Sequence, residues 1–141
     1  MKSQNELKRQ RAKVIVEVDG SILLVETHAG LVLLPGGGVN QGETPIAVVA
    51  RELNEETGLE ANLLFKLFNL ESKTTYHNVF YAITLVGMPV AKDDAVRLHY
   101  INGLPSSSKL NISTATIEIL NGFYEMDLDN ARKLAERLLS V

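Results

Sequence analysis

Glu52, Glu55 and Glu56 stand at i, i+3 and i+4, a spacing that gathers side chains on one flank of an α-helix. Three carboxylates so close repel one another, and a helix built for stability alone would interleave Lys or Arg among them. Two explanations stand side by side: a solvated acidic face, or a hard cation that relieves the repulsion. Oxygen-only ligation suits Mg2+, with Mn2+ as the alternative, and Mg2+ shares its coordination sphere with water and substrate phosphates. Just upstream, Gly36-Gly37-Gly38 lets backbone approach a ligand closely, turning a carbonyl to a metal or an amide to a phosphate. A Pro-Gly-Gly stretch alone marks only a turn.

The elements that must position these groups are readable from period and punctuation. Val14, Val16 and Val18 alternate with Ile15, Glu17 and Asp19, and Asp19-Gly20 suits a tight hairpin turn into a strand over Ile22 to Glu26. After a turn at His28-Ala29-Gly30, Leu31 to Leu34 reads as a buried strand ended by Pro35. Thr44 as cap, Pro45 in the first turn and Gly58 past the end bracket a helix whose buried stripe is expected to be Ile46, Val49, Ala50 and Leu53. The three glutamates are then expected to lie away from that stripe. Strands are predicted over Leu63 to Leu70, Tyr76 to Val86 and Val96 to Ile101, with a polar Lys92-Asp93-Asp94 loop before the last. Two helices close the chain. Ile112, Ala115, Ile119, Leu120 and Phe123 share a face behind Ser113 or Thr114, with Gly122 near the end; Asp127 precedes Leu128, Ala131, Leu134, Ala135, Leu138 and Leu139.

The 141 residues, 45% hydrophobic and 22% charged, suit one domain. With no cysteine, disulfides, thiolate metal sites and Cys nucleophiles are excluded. No long apolar run or signal pattern opens the chain, so a soluble, cytoplasmic protein without a membrane partner is expected. The net charge of −3 is unevenly spread: residues 1–13 hold Lys2, Lys8, Arg9, Arg11 and Lys13 against Glu6, leaving nine basic and sixteen acidic side chains elsewhere. Residues 1–13 read as a basic arm, a solvated and partly disordered tail or a phosphate contact, and residues 14–141 as the domain. An acidic body argues against broad nucleic-acid binding.

Taken together, Gly37, five residues, Glu43, seven residues, Arg51-Glu52-Leu53, any residue, Glu55-Glu56, any residue and Gly58-Leu59 resemble the complete Nudix box. Seven identities and two aliphatic positions arise by chance with a probability of order 10⁻⁹ or less per starting point. The box covers 23 residues. The resemblance implies an α+β Nudix fold, an α/β/α sandwich around a mixed β-sheet, and metal-dependent hydrolysis of a diphosphate linkage in a nucleoside diphosphate derivative. It implies divalent metal bound by Glu52, Glu55 and Glu56 with the Gly37 carbonyl, and Arg51 orienting the glutamates through an ion pair. Glu43, Gly38 and Gly58 take supporting roles. Glu52 or Glu55 is the candidate general base; Asp94 is a candidate further ligand or an ordinary turn aspartate.

Substrate choice lies outside the box. Length, the Gly42-Glu43-Thr44-Pro45 entry and the closing helices resemble the MutT-type branch, which often acts on nucleoside triphosphates. Leu34 stands where many members carry an aromatic residue, and Glu26 and Thr27 where a basic one can occur. Tyr76, Phe80, Tyr81 and Tyr100 are the aromatic residues available to stack on a base, against the alternative that they fill the core. His28, His77 and His99 show no metal spacing. Two alternatives accompany the nucleotide reading: removal of pyrophosphate from an RNA 5′ end, which would employ the basic arm, and a non-catalytic ligand sensor. The arm and apolar closing helices leave a homodimer open.

Overall fold

Strand β1 (Arg9–Val18) is the axis of a seven-stranded mixed sheet. A computed structural model describes residues 8–84, 87–104, 109–126, 133, 136 and 137. Along one edge β1 pairs in parallel with β6 (Thr75–Ile83), which pairs antiparallel with β5 (Leu63–Glu71). Along the other edge β1 changes partner. Its first half pairs with the glycine strand β4 (Gly36–Gly38), and its end with β2 (Ser21–Thr27). Strands β3 (Val32–Leu33) and β7 (Ala95–Ile101) both pair with β2.

Alternation along β1 feeds two cores. Ala12, Val14 and Val16 pack with Val48, Val49 and Leu53 of helix α1 (Pro45–Thr57). Ile15 packs on the other face with Ile119, Leu120 and Phe123 of helix α2 (Thr114–Glu125). The result is the expected α/β/α sandwich. Among the described residues no helix is long and apolar enough to cross a membrane.

The local signals act as their chemistry demands. Asp19 and Gly20 both take positive φ, 51° and 82°, making the two-residue turn that joins Val18 to Ser21. Thr44 caps α1 by accepting a hydrogen bond from Ala47 N, and Gly58, at φ 76°, ends it. Ser113 caps α2 in the same way through Thr116 N.

Two expectations need correction. The strand begins at Arg9 rather than Val14, so Arg9 to Lys13 belong to the sheet and not to a tail. Their charge conceals a period-two pattern that continues into Ile15. On α1, Ile46 is 45% exposed and Ala50 is exposed, while Val48, Val49, Leu53 and Glu56 are buried. The buried stripe is therefore rotated onto one of the glutamates. Gly122 lies in the last turn of α2, near its end as expected, where it makes room for the Phe68 ring. Apart from residues 133, 136 and 137, which are helical, the second closing helix expected after Asp127 lies outside the described residues, as do Leu85 and Val86 of the predicted strand and residues 1–7 of the arm.

Gly36 is the position where glycine is indispensable. Its φ is 148°, and a Cβ there would collide with the Ala12 carbonyl of β1. Gly36→Ala is expected to destabilise the fold by about 3 kcal/mol or more. Gly20→Ala, with φ 82° but open space around it, should cost only about 1 kcal/mol. Urea unfolding of the two variants checks this ranking; equal midpoints would contradict it.

Candidate active site

Strand β4 and helix α1 meet at a buried hydrogen bond. Glu56 is 7% exposed, and its Oε1 accepts the Gly36 N–H at 2.9 Å. Beside it the Gly37 backbone lies against Glu52, whose Oε1 would be 3.0 Å from a Cβ at that position. A side chain at residue 37 would thus press on the carboxylate. Glycine here lets the strand approach the helix.

Arg51 organises the exposed side of the cluster. Its Nη2 donates to Glu43 Oε2 at 3.1 Å, while Nη1 donates to Glu52 Oε1 at 3.1 Å and to Glu55 Oε2 at 3.4 Å. Glu43 Oε1 in turn accepts from Asn40 N at 3.1 Å, so one guanidinium ties the loop before α1 to two carboxylates of the helix. The hydrogen bond to Glu43 is the main reason the Arg51 pKa is raised.

The far end of α1 is covered by the loop before β7. Lys92 N donates to Glu56 O at 3.0 Å and Val90 N to Thr57 O at 2.9 Å, satisfying carbonyls the helix leaves open. This places Asp94, next to Asp93 at φ 51°, within electrostatic reach of Glu52 and Glu56.

Burial pushes the Glu56 carboxyl up to about 7. The Gly36 N–H opposes the shift, Glu52 and Asp94 add to it, and Lys13 opposes it. Burial also raises Glu52, against the nearby Arg51 and with the help of Glu55. On β1, burial lowers the Lys13 ammonium to about 8, with Arg11 adding to the shift and Glu56 opposing it. Like charges and low dielectric are thus concentrated around one hydrogen bond.

Among the described residues no three His, Asp or Glu side chains converge as a finished metal cage. The donor set nonetheless fits a hard divalent cation. It is all oxygen, mutually repelling, and includes a buried carboxyl whose charged form is disfavoured without a counter-charge.

The other candidates fall elsewhere. Leu34 is fully buried, Phe80 and Tyr81 fill the two cores, and Tyr81 stacks with Phe123 at a centroid distance of 6.0 Å. Tyr100 is exposed and borders a surface cavity of about 430 Å3 with Val18, Asp19, Ser21 and Met88, which none of the box carboxylates lines. His99 Nε2 is 2.8 Å from Glu26 Oε1, and His28 is exposed. In the sequence Gly36 stands only as part of the glycine run, and Arg11 and Lys13 only as part of a basic arm, with no position beside the glutamates. The signal was present in the alternation Arg9, Arg11, Lys13, Ile15, but net charge suggested a tail.

The NUDIX domain family profile matches residues 7–116, and the chain belongs to this family. A nudix hydrolase family member from Chromobacterium violaceum superposes with a TM-score of 0.78 at 24% identity, over 93% of this chain and 88% of that one. The E. coli ORF135 protein gives 0.70 at 24% identity over 93% and 98%. The MutT NUDIX hydrolase of Burkholderia pseudomallei gives 0.69 at 24% over 81% and 96%. A protein of Bartonella clarridgeiae named RNA pyrophosphohydrolase is 44% identical over 52 residues, 33% of this chain. The chain spans 30% of that relative's length. Nudix hydrolases use divalent metal ions and act on the diphosphate linkage of small nucleotide substrates.

A stability test follows from Glu56. Its folded pKa lies above the ordinary 4.5, so its contribution is full below about 4.5 and is lost as pH rises through about 7. Glu56→Gln keeps an acceptor for Gly36 N–H and removes the charge. In metal-free buffer at pH 8 the variant should be more stable than the parent by on the order of 1 to 3 kcal/mol, the difference vanishing near pH 4.5. Thermal melts across this range check it; a pH-independent difference would contradict the assignment.

Proposed function

We propose that the protein hydrolyses a diphosphate linkage in a nucleotide, most directly a nucleoside triphosphate, with Mg2+ held by Glu52, Glu55, Glu56 and the Gly37 carbonyl. The observation that carries this reading is the junction of β4 and α1, where a buried, charge-strained carboxylate sits between two further glutamates and a glycine backbone. Asp94 is the candidate additional ligand, because it acts electrostatically on Glu52 and Glu56 from the loop before β7. Mn2+ suits the same oxygen set.

The bound cation supplies charge neutralisation on the diphosphate and a lowered pKa for the attacking water. The chain's own residues supply position. Arg51 holds Glu52 and Glu55 through its Nη1, and Glu43 fixes Arg51 to the loop. Proton removal from water falls to one of these two glutamates. Glu56 is less suited to that task, since its Oε1 is engaged by Gly36. Retention of every carboxylate supports an enzyme over a ligand sensor.

A second reading, removal of pyrophosphate from an RNA 5′ end, is supported by the short stretch of likeness to the Bartonella protein of that name. Residues 9–13 cannot serve it as a free arm, because they are part of β1. Truncation is therefore informative only before Lys8.

Phosphate and pyrophosphate release from nucleoside triphosphates, nucleotide sugars, dinucleoside polyphosphates and 5′-triphosphorylated RNA, with and without Mg2+, separates the readings. Turnover should depend on Mg2+ and favour the mononucleotides. Glu52→Gln should lower kcat on the order of a hundredfold or more with unchanged circular dichroism. Parental turnover in that variant would remove Glu52 from the mechanism; activity confined to RNA would establish the second reading; and inactivity across the whole panel would favour a sensor.

A further inference from the structure

The first half of β1 carries a row of cations. Arg9, Arg11 and Lys13 alternate with Gln10 and Ala12, so they share the face of Ile15, opposite to the face packed by α1. Exposure is graded along the row: Arg9 is exposed, Arg11 half-buried and Lys13 only 4% exposed. Across the sheet Arg11 pairs with His77 of β6, which is 6% exposed and whose Nδ1 has no hydrogen-bond partner among the described residues.

Nothing within the described residues neutralises the row at contact distance. Glu52 and Glu56 act on Arg11 and Lys13 electrostatically, yet neither forms an ion pair with them. On the opposite edge Arg11 pairs with Gly38 and Lys13 with Gly36, so β4 sends no side chain over the row. A buried ammonium without a partner is costly, and a chain selected for stability would carry an apolar residue there, as it does at Ile15. An anion arriving with the substrate would explain its presence beside the carboxylate junction. A flexible or planar cation facing bare backbone is well suited to phosphate oxygens.

We propose that Arg9, Arg11 and Lys13, with His77 Nδ1 at their flank, form a diphosphate-binding row that holds the substrate's phosphates against the edge of β4. This rests on the hydrolase reading for its substrate but not for its test. Lys13 at the inner end anchors the anion, Arg11 orients it, and Arg9 draws it in from solvent. These are binding residues, and the row makes recognition depend on the diphosphate rather than on the group attached to it.

The probe is inorganic pyrophosphate, titrated calorimetrically into the full chain in EDTA, with thermal melts of each variant alone. Arg11→Gln and Lys13→Met should weaken pyrophosphate binding by on the order of tenfold to a hundredfold. Lys8→Gln, which removes a charge already bridged to Glu71 at 3.2 Å, should bind as the parent does. Without ligand, Lys13→Met should melt above the parent, because it relieves an unpaired buried cation. Failure of the parent to bind, parental affinity in both row variants, or equal weakening by Lys8→Gln overturns the row. Should Lys13→Met not fold, Arg11→Gln decides, its side chain being half-buried. Nucleotide hydrolysis is measured in parallel: unchanged KM in Arg11→Gln overturns the row while the hydrolase reading stands. A parent that binds pyrophosphate through the row yet hydrolyses no nucleotide overturns the hydrolase reading alone.

Discussion

The hydrogen bond from Gly36 N–H to the buried Glu56 carboxylate is the constraint around which the active-site half of the fold is arranged. It requires a strand without side chains, because Gly36 has positive φ and crowds Ala12 of β1, while Gly37 lies against Glu52. It also requires a helix that turns a glutamate into its own buried stripe. Once β4 is pinned to α1 in this way, Arg51 can collect Glu43, Glu52 and Glu55 on the outer side, and the loop carrying Asp94 can close on the end of the helix.

The same junction is where the protein is electrostatically least comfortable. Burial holds the Glu56 carboxyl near a pKa of 7 and the Lys13 ammonium near 8, so both charged forms are disfavoured in the empty protein. Neighbouring Glu52 and Asp94 worsen the position of Glu56, and Arg11 worsens that of Lys13. A divalent cation on the carboxylate side and a diphosphate on the cation side would relieve both at once. Stability forgone in the free protein would thereby become available as binding energy for metal and substrate.

Much of this was legible in the sequence. The Gly37 to Leu59 pattern, the Thr44-Pro45 start and the Gly58 stop of α1, and the Asp19-Gly20 turn each have a local cause that tertiary context does not override. What was not legible depends on pairing between distant segments. Arg9 to Lys13 look like a tail because three cations in five residues are hydrophilic; only register with β4 and β6 places them in the sheet beside the glycine strand. Ile46 fits the helical period yet is exposed, because the buried stripe runs through Val48, Val49, Leu53 and Glu56, the face that meets β1 and the glycine strand. Base selection stays unread for the same reason: the strand aromatics Phe80 and Tyr81 serve the two cores, and no local pattern marks a stacking surface.

The site proposed for a divalent cation is the junction where β4 meets α1. Its most direct test is paramagnetic broadening of backbone amide resonances during titration with Mn2+. Broadening is expected first at the amides of residues 36–38 and 52–56, together with those of Arg11 and Lys13, which pair with Gly38 and Gly36. Broadening centred elsewhere, or none at these residues, would contradict it.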